Sequence, residues 1–323
     1  MNTVTVSAPG KLMLLGEHAV VYGRPCIVTA VNQRMRVTVT NLTEPLCVIN
    51  APDVAVSDYR KSMTSLGTGE IPQGARFVEV AVKNFLEKYS FTGGISVTTT
   101  SEFSSLFGFG SSATSVVCVI KALSELFGKK ISNDQLFALA HKTVLDVQGK
   151  GSGFDVAAAI YGGTLYFKNG GKIIEPLEVS DIPIVVGYTG VKADTISLIQ
   201  SVKEKMDAQP ELVERIFDAI AKLTDDAKGK LIEGDWSRVG RFMEFNQEYL
   251  RDIGVSSEKL ESLISAAKSA GAYGAKLSGA GGGDCMIAVA PKEKRKSIED
   301  AIGAVGGQVI HILSGAEGVR VEA

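Results

Sequence analysis

The chain has 323 residues, more than one ordinary core organises and about right for two domains. Its 34 basic and 36 acidic side chains leave a formal charge of −2 with no Lys/Arg block, which points away from nucleic acid and from a membrane surface as partners. No apolar run approaches the ~18 residues of a membrane span, the start lacks a charged-then-apolar leader pattern, and Cys26, Cys47, Cys118 and Cys285 form no CxxC pair, so the expectation is a cytoplasmic protein with core thiols and neither a disulfide framework nor a zinc site.

Taken in chain order, Thr3 to Ala8, Met35 to Asn41 and Gly94 to Thr100 alternate apolar and polar residues and predict strands. Between the last two, Ala75 to Tyr89 sets Val78, Val82, Phe85 and Tyr89 at helical spacing. Ser111 to Leu126 predicts a mostly apolar, buried helix. Asn133 to Asp146 predicts another, with Asn133 as its cap. After Gly170-Gly171 the character changes. Ile182 to Tyr188 predicts a strand, and helices follow over Asp194–Met206, Glu211–Leu231, Asp235–Leu250 and Ser257–Ala270, punctuated by Pro210, Gly234 and Gly254. Strands return at Gly274–Leu277, Cys285–Val289 and Val309–Leu313, with a helix over Lys292–Ala304. The expected division is into residues 1–175 and 176–323.

Three glycine-containing segments carry chemical meaning. The first is Ser7-Ala8-Pro9-Gly10-Lys11 with Gly16-Glu17-His18, which reads as a Pro-Gly turn followed by a lysine. In the second, Gly108-Phe109-Gly110-Ser111-Ser112-Ala113 leads into an apolar helix. Glycines let backbone N–H groups approach a phosphate, and the helix N-terminus supplies partial positive charge. Ser111 and Ser112 suit a helix cap, a phosphate oxygen or a phosphate-bound Mg²⁺. A plain capped turn is the alternative. No lysine follows the Ser pair, so this is not a P-loop. The third segment, Lys276 to Cys285, includes Gly279, Gly281, Gly282 and Gly283 after a strand, and reads as a loop approached closely by a ligand or as a tight hairpin.

Together and in this order the segments resemble the three signature motifs of the GHMP kinases, over nearly the whole chain. The resemblance implies an α+β, two-domain GHMP kinase fold, with an N-terminal ribosomal-protein-S5-like domain and a C-terminal ferredoxin-like domain. It implies ATP with Mg²⁺ as cofactors, a small-molecule substrate, and is compatible with a homodimer. By the same resemblance Asp155 and Lys11 are catalytic: Asp155 accepts or orients the hydroxyl proton and Lys11 sits beside it. Gly108, Gly110, Ser111, Ser112, Ala113, Gly279, Gly281 and Gly282 bind the nucleotide, and Glu17 and His18 join Lys11 and Asp155 at the substrate.

The Gly-Glu-His segment and the C-terminal half are similar to the mevalonate-phosphorylating branch of the family. Gln148 to Ala159 is more similar to the branch that phosphorylates 5-phosphomevalonate, where Lys150, Lys192 and Arg24 are the candidate partners of the substrate phosphate. A non-catalytic ligand-binding protein of the same fold is a further alternative, as is a decarboxylase of the family. Two positions depart from the pattern. Val144 stands where the family carries a Mg²⁺-binding Glu, leaving Ser112 and the phosphates to hold the ion. Asp146 is turned about 200° from position 144 around a helix. Leu106 replaces the glycine that usually opens the second motif.

Overall fold

The structure is a computed structural model that describes residues 2–179 and 181–322. The first half contains β1 (Thr3–Leu15), β2 (Cys26–Leu42), β3 (Leu46–Ala51), β4 (Val56–Ser62), α1 (Arg76–Tyr89), β5 (Gly94–Ser101), α2 (Ser111–Leu126), α3 (Asn133–Gln148), α4 (Phe154–Tyr161), β6 (Thr164–Lys168) and β7 (Ile173–Leu177). Then come β8 (Ile184–Tyr188), α5 (Thr195–Ala208), α6 (Pro210–Glu233), α7 (Trp236–Asp252), α8 (Glu258–Ser269), β9 (Gly274–Ser278), β10 (Cys285–Val289), α9 (Arg295–Ala304), β11 (Gln308–Ile310) and β12 (Arg320–Val321).

The strands form two sheets. The first runs β12-β1-β2-β5-β3-β4, with β6 pairing both β2 and β7. The long β2 serves two partners, β5 through Met35–Leu42 and β6 through Cys26–Thr29. Val37 and Val39 point from β2 into a core with Ile95, Phe85 and the apolar face of α2, which excludes water from the layer between sheet and helices. The second sheet, β11-β8-β10-β9, is wholly antiparallel and has the βαββαβ order of a ferredoxin-like layer. A further apolar cluster joins the sheets: Leu12, Leu14 and Ile27 of the first pack with Ile184, Val186 and Ile287 of the second.

Several expectations change in the fold. The strand predicted to end at Ala8 continues to Leu15, so Pro9-Gly10 is no turn but a register shift inside β1. A bulge tolerates the missing proline N–H. Gly10 is needed for close approach, since a Cβ there would lie 3.2 Å from Phe109 Cβ. The α3 cap is Ser132, not Asn133: its hydroxyl accepts from Gln135 N while Gln135 answers with a bond from Ser132 N, a full capping box. The last predicted strand shortens to β11. The chain then returns to the first sheet through bridges Val31–Ser314 and Gly162–Glu317 and through β12.

Candidate active site

The second glycine segment forms an open helix start. Gly108 and Gly110 have φ of 72° and 82°, a region costly for side-chain-bearing residues. At Gly108 a Cβ would also stand 2.5 Å from Asp284 Oδ2. Gly110 caps α2 with no side-chain bond, so neither Ser111 nor Ser112 is used as the cap. Among the described residues neither serine hydroxyl has a partner, which leaves both to a ligand, alongside the first N–H groups of α2. Ala113 is buried behind them, and Leu106 is half-exposed at the mouth.

Lys11 and Asp155 meet across this start. The β1 bulge directs Lys11 to the loop, where its Nζ donates to the Gly108 carbonyl at 2.7 Å. Burial lowers the Lys11 pKa, and the carboxylates of Asp155 and Asp284 oppose that shift. Asp155 lies in the first turn of α4 behind Gly153, whose φ is 88°. His141 braces that turn, its Nε2 donating to the Gly151 carbonyl at 3.1 Å. A Cβ on Gly110 would stand 3.3 Å from Lys11 Cε and 3.6 Å from Asp155 Cβ, so the glycine keeps the space between them free. The two form no direct ion pair; Asp155 Oδ1 accepts from Val156 N at 2.9 Å.

Glu17 and His18 face the same cleft but are already engaged. Glu17 forms an ion pair with Lys276 in which neither side chain has any exposure. Burial pushes the Glu17 carboxyl up and the Lys276 amine down. Glu17 Oε2 is left without a partner. His18, at φ 59° and ψ −48°, is the centre of a tight three-residue turn closed by Ala19 N donating to Glu17 O at 2.7 Å. Its Nε2 donates to the Ala280 carbonyl at 2.8 Å. Ser278 adds a second tie between the sheets, bonding both the N–H and the carbonyl of Met13 at 3.0 Å.

The third glycine segment links the antiparallel β9 and β10, as the hairpin reading expects. Gly279 lines the cleft with nothing near its missing Cβ. Gly281 and Gly282 instead allow packing against Val255 and Leu198. Lys276, Ser278, His141 and Asp284 were not singled out from the sequence. A lysine between Ala275 and Leu277 in an apolar strand was the one available signal.

Two cavities converge here. The cleft with Lys11 and Asp155 has a volume of about 220 Å³, and a neighbouring one of about 430 Å³ runs between β5, α1 and the start of α2. Ser105, Ser111, Ser112 and Lys192 belong to both walls. Val144, 3% exposed, forms part of the first. Asp146 is not beside it: its carboxylate takes bonds from Asn84 and Lys142, so it does not replace a cleft carboxylate. Arg24 is spent on Glu214 and Asp218, outside the cleft, whereas Lys150 lines it without an ion pair among the described residues.

Comparison with known proteins agrees with this geometry. The GHMP kinases N terminal domain profile matches residues 76–163, and the GHMP kinases C terminal profile matches residues 227–308. A mevalonate kinase of Pyrococcus horikoshii is 38% identical over 99% of this chain and 98% of its own length. The Archaeoglobus fulgidus mevalonate kinase is 33% identical over 90% of this chain and 93% of its own. Among solved structures, L. major mevalonate kinase in complex with R-mevalonate has a TM-score of 0.79 at 27% identity, covering 98% of this chain and 96% of that one. The chain belongs to the GHMP kinase family. Membership implies ATP as the phosphoryl donor. No helix among the described residues is long and apolar enough to cross a membrane.

Proposed function

We propose that this chain transfers the γ-phosphoryl group of ATP to the 5-hydroxyl of mevalonate, a step of the mevalonate pathway of isoprenoid biosynthesis, in the cytoplasm. The observation that carries this reading is the full-length likeness to mevalonate kinases, 38% identity over 99% of the chain in one case. The site supports it chemically. The cavity beside α1 and β5 takes the nucleoside, the α2 start takes the phosphates, and the Asp155 cleft takes the acceptor. Asp155 accepts the hydroxyl proton as the acceptor oxygen bonds to phosphorus, the bond to the β-phosphate oxygen breaks, and ADP departs with the electron pair. Lys11 has one N–H engaged with Gly108 and two free for phosphoryl oxygens.

Magnesium fits the donors present: Ser112, with an unpartnered hydroxyl, and Asp155 would hold it, and bound to the phosphates it supplies charge neutralisation. The described residues contain no cluster of three or more carboxylate, His or Cys ligands, so the phosphates themselves complete the set. The division into residues 1–175 and 176–323 belongs to the same proposal. The second sheet, which begins at Ile184, supports it, and the tail from Ser314 returns to the first.

One observation favours 5-phosphomevalonate as an alternative acceptor. Lys150, in the segment similar to that branch, lines the cleft unpaired and suits a substrate phosphate. A coupled assay of ADP release with Mg-ATP, offering each acceptor separately, tests both. Turnover of mevalonate alone supports the main reading, and turnover of 5-phosphomevalonate alone transfers the function to the alternative. ATP binding without turnover of either leaves a ligand-binding protein.

A further inference from the structure

Lys192 is the single charged side chain, among the described residues, that belongs to the walls of both cavities. It stands where they meet, beside Ser111 and Ser112. Its backbone is held from both sides by one residue: Asp284 N donates to Val191 O at 2.8 Å, and Ala193 N donates to Asp284 Oδ1 at 2.9 Å. The same Oδ1 lies 3.4 Å from Lys192 Nζ. Asp284 is nearly buried and keeps a φ of 53°, an unfavourable backbone form for aspartate that the surrounding bonds maintain. Its other oxygen faces Gly108, so one carboxylate connects the phosphate loop to the lysine. Burial is the main cause of the lowered Lys11 basicity, and the Lys192 cation is near enough to add to it.

We propose that Lys192 is a further catalytic residue, an ammonium that joins Lys11 on the transferring γ-phosphoryl group, and that Asp284 is its positioning residue. A phosphoryl-transfer transition state spreads charge over three equatorial oxygens and is stabilised by cations already in place. A cation shared by the nucleotide and acceptor cavities is at the point where that group passes. Lys192 keeps its protons throughout. The β–γ bridging bond breaks toward ADP, and the hydroxyl proton goes to Asp155. The acceptor part rests on the function proposed above, but the nucleotide part does not.

The test is Lys192→Met, at a side chain 45% exposed and so tolerant of change. Calorimetry measures affinity for ADP and for a non-hydrolysable ATP analogue, both with Mg²⁺, and turnover is followed with mevalonate. We expect analogue affinity to fall about tenfold, ADP affinity to stay within about twofold, and kcat to fall about 100-fold. Equal changes for ADP and the analogue, or none, overturn the proposal. A rise confined to the acceptor KM also overturns it and assigns Lys192 to the acceptor. Asp284→Asn is then added to Lys192→Met: no further loss of analogue affinity fits a positioning role, and an additive loss removes it. Wild-type protein inert toward mevalonate would sink the acceptor assignment while leaving both calorimetric outcomes readable.

Discussion

The opening glycine-containing segment places two charged residues a few positions apart and puts them to opposite uses. Lys11 is held by a single carbonyl and keeps donors free toward the cleft. Glu17 is closed off with Lys276, where neither side chain meets solvent. In the first half bonding capacity is left over toward the cleft; in the second it is spent tying the first sheet to β9. A charge does chemistry here only where the fold leaves part of its bonding capacity unspent.

The contrast breaks first at the open half. Asp155→Asn should lower turnover about 1000-fold, within the range for a lost general base, while nucleotide affinity and unfolding midpoint stay close to wild type. Turnover near the wild-type level would remove Asp155 from the chemistry. The closed half should respond in the other quantity. Lys276→Met strands the Glu17 carboxylate and should cost about 3–5 kcal/mol of stability by urea unfolding, with the double change Glu17→Gln, Lys276→Met recovering most of it. A single variant as stable as wild type would mean that the pair ties nothing.

Val144→Glu sharpens the comparison by adding a carboxylate to the open side. It should cost about 1–3 kcal/mol, because the site is buried and apolar, and should lower the Mg²⁺ concentration giving half-maximal rate. An unchanged Mg²⁺ requirement would separate position 144 from the phosphates.

The smallest effect concerns His18. Burial lowers its pKa below the ordinary 6.5, so the unfolded chain takes up the proton first as pH falls. Its contribution is present above pH 6.5 and is lost as pH falls from there through the lowered folded value. His18→Gln, which keeps a donor for the Ala280 carbonyl, should flatten the stability profile below that pH, by at most about 1.4 kcal/mol per unit for one proton. Glu17, shifted up by burial, pulls the other way, so the two proteins are compared at each pH. Parallel profiles would show that His18 does not titrate there.

Much of the fold was legible because it rests on local periodicity. The helical spacing of Val78, Val82 and Phe85 and the alternation around Val37 and Val39 report one buried face each, whatever that face meets. Strands β6, β7 and β12 were not legible. They are short, and their pairing depends on partners far along the chain, as Val6 with Val321 does. Pro9-Gly10 misled because a turn and a bulge share the same residues, and only the partner strand β2 distinguishes them. In the site, Gly108, Gly110, Ser111, Ser112 and Lys11 were marked by the glycine-containing motifs and Asp155 by the family resemblance, and the fold brings all six to one cleft. Asp284 and Lys276 were not, since a single charged residue in a loop or strand carries no periodic signal.

By itself, then, the sequence determined most of the helices and the strands with clear alternation, the family resemblance and a glycine-rich loop opening a helix, because these follow from local backbone freedom, periodicity and motif order. Only the tertiary structure decided which charges remain available. Lys11 is left open and Glu17 is closed, Asp146 is drawn away to Asn84, and Lys192 is brought to the junction of two cavities. Such allocation depends on which groups exclude water together, and that is settled by residues distant in the chain meeting in space.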